Sequence, residues 1–234
     1  MIETREIAAR GMRFTADIAG AETSPETVLF LHGFPNSRHS WTHMLNAVAK
    51  AGHHGIAPDQ RGYSPGARPE GIDAYQVEEM VADAVAIADA VGAERFHLVG
   101  HDWGGQIAWA TAATHPERLA SLTVLSRPHP AAFARAFRED PEQANRSRHH
   151  KAFQDPAMAD RLLQDDAVAL RNTLCFENAS GLFGADDPVA ATPKRRMSDA
   201  LASCHLSALR NRSALAAALD WYRAALPGGH ASPG

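Results

Sequence analysis

The feature that most constrains the fold of this chain is the alternation of short apolar runs with longer segments of helical periodicity between residues 27 and 125. The run at residues 27–31 is continuous and rich in β-prone residues, which is typical of a strand buried on both faces. Strands that alternate with helices form a parallel sheet through right-handed crossovers. The predicted strands cover residues 27–31, 54–58, 96–99 and 119–125, and the predicted helices cover residues 40–50, 74–91 and 104–114.

Different patterns flank this alternating region. Residues 4–20 carry two short apolar–polar alternations, which predict an antiparallel hairpin at the edge of the sheet. Residues 131–226 show only helical periodicity and predict a cap over the sheet. We therefore expect an α/β fold with a core at 1–128, a helical lid at 129–226 and a linker or tail at 227–234.

The composition argues against several classes of protein. A formal net charge of -4 gives no basic excess of the kind that nucleic-acid binders carry. No apolar stretch reaches the ~18 residues of a membrane span, and the N-terminus has no signal-peptide pattern. Two cysteines make no disulfide framework, and the 13 histidines lack metal-ligand spacing. We expect a cytoplasmic protein with no metal, no cofactor, and neither a nucleic-acid nor a membrane partner.

The segment from Gly100 to Gly104 lies between a predicted strand and a predicted helix. This is the context of a nucleophile elbow, in which a glycine flanks the central residue on each side because the turn leaves no room for side chains. The central residue, Asp102, is then held above the carboxyl end of the sheet, where open α/β sheets bind ligands. The sequence therefore predicts that Asp102 is a nucleophile.

An aspartate at this position decides the class of reaction. Its unperturbed pKa of about 3.9 makes it an anion at neutral pH, so it can attack a saturated carbon and form an alkyl-enzyme ester. Hydrolysis of that ester needs a base and an oxyanion hole. The backbone N–H of Trp103 is a natural donor to that hole. The N–H of Phe34, in the loop after the strand at 27–31, is the candidate for the second donor.

Three motifs, in this order, resemble those of the α/β-hydrolase-fold epoxide hydrolases. They are His32–Pro35, Asp59–Ser64 and Gly100–Gly105, and the segment Asp220–Arg223 is similar to the Asn-Trp-Tyr-Arg lid segment of that family. The resemblance is strong over residues 27–126. It implies that Asp102 opens a small apolar epoxide while lid groups donate a hydrogen bond to the departing oxygen, and that His32, Asp59 and Arg61 brace the loops.

The resemblance also indicates which lid groups act as donors. Tyr222 corresponds to one lid tyrosine of the family, with a packed core residue as the alternative reading. The second lid tyrosine has no counterpart, and His149 is our candidate in its place, with an exposed helical histidine as the alternative reading.

The chain departs from the family after the lid. A full enzyme of this type places its acid after a seventh strand and its histidine after an eighth, and neither element is expected here. His129 and His230 are not in the position of the usual base. An ester on Asp102 would then form without turning over, and the strand at 119–125 would be an exposed edge that favours self-association into a homo-oligomer. We expect a fragment, a truncated product or a protein whose partner supplies that edge.

Two other functions stay open. A haloalkane dehalogenase also uses an aspartate, and the Trp103 indole could donate to a halide, but such enzymes typically carry asparagine at the position of Phe34. A non-catalytic hydrolase-fold protein would bind a small apolar ligand without turnover. Esterase chemistry of the serine type is disfavoured by Asp102 itself.

Overall fold

The computed structural model describes residues 1–175 and 197–225. Its sheet has six strands in the order β1-β2-β4-β3-β5-β6. The strands β1 and β2 form an antiparallel hairpin, β2 also pairs with β4 in antiparallel fashion, and the remaining pairs are parallel. The strands are β1 (Glu3–Ala9), β2 (Met12–Ala19), β3 (Thr27–Leu31), β4 (His54–Pro58), β5 (Phe96–His101) and β6 (Leu119–Leu125).

Helices cover both faces of the parallel part of this sheet. Successive residues of β3 point to opposite faces, so Leu29 and Leu31 join one apolar cluster while Val28 and Phe30 join the other. The core helices are α1 (Thr42–Lys50), α2 (Val77–Ala90) and α3 (Trp103–Thr114). The α/β fold, the hairpin and all the predicted core elements are confirmed, and α1 and α2 are each preceded by a turn of 3-10 helix.

Helices follow β6 throughout the described part of the chain. They are α4 (Pro130–Glu139), α5 (Pro141–Arg146), α6 (His149–Ala152), α7 (Met158–Cys175), α8 (Asp199–Ser207) and α9 (Arg212–Ala224). The helix α7 is interrupted by non-helical backbone between Gln164 and Ala167. The predicted tail at 227–234 and the basic residues 194–196 lie outside the described residues. The boundaries of the lid stay a prediction.

The strand β6 pairs on one side with β5, and the described residues place no strand on its other side. Leu125, at its end, is 43% exposed. Self-association through this edge stays a prediction. Within the described ranges no helix is long and apolar enough to cross a membrane, and no three His, Cys, Asp or Glu side chains are grouped as a metal site would require.

Two side chains dock the last helices onto the loops that follow β3 and β4. In α9 the indole of Trp221 donates to the carbonyl oxygen of Arg61 at 2.9 Å. In α8 the buried His205 accepts the backbone N–H of Ser37 at its Nδ1, at 3.0 Å. The contact requires an unprotonated Nδ1, and burial, together with the charges of His39 and His32, lowers the pKa of His205 to about 4.

This contact predicts a loss of stability at mildly acidic pH. An unfolded histidine titrates near 6.5, whereas folded His205 titrates near 4, so the unfolded state binds the proton first as pH falls. Stability should therefore be full above pH 6.5 and fall between pH 6.5 and 4, by up to about 3 kcal/mol from this group. Urea denaturation of the wild type and His205→Gln at several pH values checks this: the variant should have a flatter profile, and an equally steep one would contradict the assignment.

Candidate active site

Asp102 lies in a strained turn between β5 and α3. Its backbone angles are φ 53 and ψ -117, a combination that costs a non-glycine residue about 1–3 kcal/mol. The N–H of Asp102 donates to the carbonyl oxygen of Leu125 in β6, and its carbonyl oxygen accepts the N–H of Gln106 in α3, both at 3.1 Å. The turn holds the carboxylate at the N-terminus of α3, where a negative charge is stabilised.

One oxygen of this carboxylate is already hydrogen-bonded. The N–H of Phe34 donates to Oδ1 of Asp102 at 3.0 Å. Trp103 occupies the first position of α3, where a backbone N–H has no acceptor within the helix. The Phe34 N–H thus contacts the carboxylate as expected, whereas the Trp103 N–H as second donor stays a prediction. Oδ2 makes no hydrogen bond to the described residues and is the oxygen left for attack.

Tyr222 and Trp103 form a buried pair next to Asp102. Their ring centroids are 5.0 Å apart and nearly perpendicular, and Tyr222 is only 3% exposed. Burial, reinforced by the charge of Asp102, raises the pKa of the phenol well above 10, so the phenol is neutral. The Trp103 indole, which can only donate, partly opposes this rise in the pKa of Tyr222. The proton of the neutral phenol is left for an acceptor other than the indole.

Aromatic rings surround the Tyr222 phenol on its other sides. His149, the predicted second donor, is one of them, at a centroid distance of 5.8 Å. Its Nδ1 lies 3.2 Å from the carbonyl oxygen of Arg146, which can only accept, so a neutral His149 carries its proton on Nδ1 and leaves Nε2 as an acceptor. Burial lowers the pKa of His149 and favours this neutral form. The other rings around Tyr222 are Phe34, His150 and Phe153.

The residues predicted to brace the loops make extensive structural contacts. His32 accepts the N–H of Gln60 at Nε2 and contacts the carbonyl oxygen of Gly33 through Nδ1. Burial lowers its pKa, so it is neutral. Arg61 forms two hydrogen bonds with Asp83, at 2.6 and 2.7 Å.

The carboxylate of Asp59 completes this bracing. It pairs with the guanidinium of Arg38 and accepts that residue's N–H at 2.9 Å. The charges of Asp59 and Arg61 are therefore used to hold loops together. The position of His32 behind Gly33 fixes the loop that carries Phe34.

Two residues near Asp102 were not assigned a role from the sequence. Arg127 follows β6, and burial lowers the pKa of its guanidinium while the charge of Asp102 opposes that shift. Tyr63 is fully buried against His32 and Trp221, and its hydroxyl has no hydrogen-bond partner in the described part of the chain. Tyr63 lies in the motif Asp59–Ser64, and Arg127 follows the last strand, but only the sheet register brings them to the site.

His129, which is not in the usual base position, does not join this group. The side chain of His129 accepts the N–H of Ala131 at the start of α4, and its ring packs on Trp109 at 5.1 Å. It therefore serves as a helix cap. His230 lies outside the described residues.

Comparison with known proteins identifies the family. The model of the alpha/beta hydrolase fold family matches residues 26–228. Epoxide hydrolase A of Mycobacterium tuberculosis is 42% identical over 168 residues, which cover 69% of this chain and 51% of that protein. The AB hydrolase superfamily protein YfhM of Bacillus subtilis is 31% identical over 95% of this chain and 73% of its own length.

Solved structures of epoxide hydrolases are similar to this chain. Epoxide hydrolase A from Mycobacterium thermoresistibile superimposes with a TM-score of 0.72 at 27% identity, covering 96% of this chain and 75% of that one. Epoxide hydrolase VrEH1 from Vigna radiata gives 0.73 at 26% identity, covering 95% and 72%. The chain spans about half the length of the curated epoxide hydrolase A that it matches. With its elbow, its sheet order and these relatives, the chain belongs to the α/β-hydrolase-fold family, on the branch that resembles epoxide hydrolases.

Proposed function

We propose that this protein opens epoxides through a covalent ester on Asp102, as a hydrolase of the epoxide hydrolase type acting in the cytoplasm. The observation that carries the proposal is the arrangement of three groups. Asp102 holds Oδ1 against the Phe34 N–H, and the neutral Tyr222 phenol is buried on the Trp103 ring with a proton to donate near the carboxylate. The epoxide hydrolases among its relatives support the same activity.

The first half of the reaction needs only these groups. Oδ2 of Asp102 attacks one epoxide carbon from the side opposite the ring oxygen, a carbon–oxygen bond of the epoxide breaks, and the departing oxygen takes the proton of Tyr222. A neutral phenol suits this task because it donates without carrying a charge into the buried aromatic surroundings of Tyr222. The product is a hydroxyalkyl ester of Asp102.

The second half of the reaction is hydrolysis of that ester. Water attacks the carboxyl carbon of Asp102, and negative charge develops on Oδ1, the oxygen that already accepts the Phe34 N–H. Preorganised donors of this kind are each worth roughly 10²–10³ in rate. A base must take the proton of the water, and we assign none of the described residues to that role. The second-donor role of His149 also stays a prediction, since its contact with Arg146 favours an accepting Nε2.

The haloalkane dehalogenase alternative is weaker for a physical reason. Such an enzyme needs the Trp103 indole open to the halide, but here that ring is only 2% exposed and packs against Tyr222. Without a second side-chain donor at the position of Phe34, a leaving halide would be poorly stabilised.

Intact-mass spectrometry after incubation with styrene oxide tests the proposal, with Asp102→Ala as the control. A mass increase of one epoxide, or formation of the diol, is expected with the wild type and neither with the control. Absence of both products from the wild type would refute the epoxide reaction and favour the non-catalytic binding alternative. Released halide from a haloalkane, with no reaction of the epoxide, would favour the dehalogenase.

Tyr222→Phe tests the proton donor. The substitution keeps the ring that packs on Trp103 and removes only the hydroxyl, so the rate of epoxide opening should fall by ~10²-fold or more. The rate is measured from the time course of adduct or diol. The control is Tyr75→Phe, since the Tyr75 hydroxyl donates to the carbonyl oxygen of Pro69 at 2.8 Å, outside the site. An undiminished rate in Tyr222→Phe would remove the phenol from the mechanism.

A further inference from the structure

Arg127 lies directly over the first turn of α3, beside the nucleophile. Its guanidinium packs over the ring of Trp103 at 5.7 Å and over that of Phe133 at 4.6 Å. Its Nε and Nη2 both donate to Oε1 of Gln106, at 3.1 and 2.9 Å. A Cβ on Gly105 would lie only 2.8 Å from Cβ of Arg127, so the stem of the side chain rests on the helix itself. Helix and rings thus hold the guanidinium in place.

This cation is half-buried and lacks a direct counter-ion in the described part of the chain. Its side-chain hydrogen bonds go to a neutral amide, and burial lowers its pKa despite the charge of Asp102, which acts from a distance. A desolvated charge without a paired partner is costly, whereas an arginine fork matches a carboxylate in a bidentate geometry. Nη1 makes no hydrogen bond to the described residues and is free to take such a partner.

The proposed reaction would leave the Arg127 guanidinium without a nearby negative charge. When Asp102 becomes an ester it loses its negative charge, and Arg127 then loses the carboxylate that acts on it. A negative charge on the substrate itself would replace that charge in the ester intermediate. The positive charge of Arg127, in turn, would offset the repulsion that Asp102 exerts on such an anion as it approaches.

We propose that Arg127, positioned by Gln106, binds a carboxylate on the substrate, so that the preferred substrates are epoxides of carboxylic acids rather than neutral apolar epoxides. The inference rests on the proposed epoxide-opening function and names the substrate class for the same site. The aromatic rings of Trp103 and Phe133 would contact the apolar part of such a substrate.

The test compares two epoxides of nearly equal shape, 3-phenyloxirane-2-carboxylate and its amide, by the rate at which each modifies Asp102 or yields diol. The wild type is expected to react about tenfold faster with the carboxylate, the effect of one hydrogen bond between two charged groups. Arg127→Gln should abolish or invert this preference, and Arg127→Lys should keep part of it. The control Arg13→Gln removes an exposed cation from the hairpin, and the preference should persist.

A binding measurement separates this inference from the proposed function. Calorimetry with phenylacetate and phenylacetamide, which cannot alkylate Asp102, should show that the wild type binds the anion more tightly. Arg127→Gln should lose this preference for the anion. If neither epoxide reacts but this preference is found, the proposed function fails and the anion site stands. The anion site would be overturned if the wild type bound the two probes with equal affinity. It would also be overturned if Arg127→Gln, at an unchanged melting temperature, lost affinity for both probes to the same extent.

Discussion

Gly33→Ala should slow covalent reaction with an epoxide by at least ~10³-fold while leaving a folded protein. A Cβ at this position would lie 2.7 Å from Cγ of Asp102 and still closer to its Oδ1 and Cβ. The carboxylate would have to turn away, which both misplaces the attacking oxygen and breaks its bond with the Phe34 N–H. Misplacement by about 1 Å can cost 10²-fold, and loss of one oxyanion donor costs roughly 10²–10³-fold.

The measurement is the time course of the styrene oxide adduct or diol, with circular dichroism to verify the fold. Gly52→Ala is the control, because Gly52 has a positive φ of 87 but no heavy atom within 4 Å of a new Cβ. It should lose about 1 kcal/mol of stability through backbone strain and keep its reaction rate. If Gly33→Ala reacts within tenfold of the wild type, the close approach of this loop to Asp102 plays no part in the reactive geometry.

The elements of the core could be predicted because their signals are local. Each signal lies within one short segment of the chain. Examples are the continuous apolar strand at residues 27–31 and the helical periodicity of residues 77–90. The meeting of Phe34 with Asp102 was also predictable, although 68 residues separate them. Parallel neighbouring strands end at the same edge of a sheet, so the loops after β3 and β5 had to converge there.

The residues that sequence reasoning missed depend on register and docking. Arg127 reaches the site only because β6 pairs with β5 so that Leu125 accepts the Asp102 N–H, a register that no short segment encodes. His205 meets Ser37 across 168 residues, and Trp221 meets the Arg61 carbonyl across 160. Such contacts are set by how helices dock on the sheet, and the helical period reports only which face is apolar.

The role of His149 as second donor stays a prediction, because it depends on which ring nitrogen carries the proton. A histidine near a predicted donor site was read as a donor, but the carbonyl oxygen of Arg146 beside its Nδ1 favours an accepting Nε2. The sequence places both residues in one helical turn and gives no information about which ring nitrogen faces the carbonyl. The choice between donor and acceptor requires the orientation of the ring.

Gly104→Ala should destabilise the fold by at least about 3 kcal/mol, a large effect for the addition of one methyl group. A Cβ here would lie 2.1 Å from the carbonyl oxygen of Leu31 and 2.8 Å from that of His32, so both contacts would be steric clashes. These are backbone atoms of β3 and its following loop, so relief requires α3 to move away from the sheet.

Thermal denaturation measures the effect, and a fall of roughly 6–12 °C is expected for a domain of this size. Gly92→Ala is the control, because Gly92 also follows a core helix and has a positive φ of 77, but a new Cβ there meets no heavy atom within 4 Å. That variant should lose only the strain of a left-handed residue, about 1 kcal/mol. Since α3 carries Asp102 at its N-terminus, any residual folded Gly104→Ala should also react slowly, whereas folded Gly92→Ala should react normally. Equal melting temperatures for the two variants would mean that the helix does not need this close approach to hold its nucleophile.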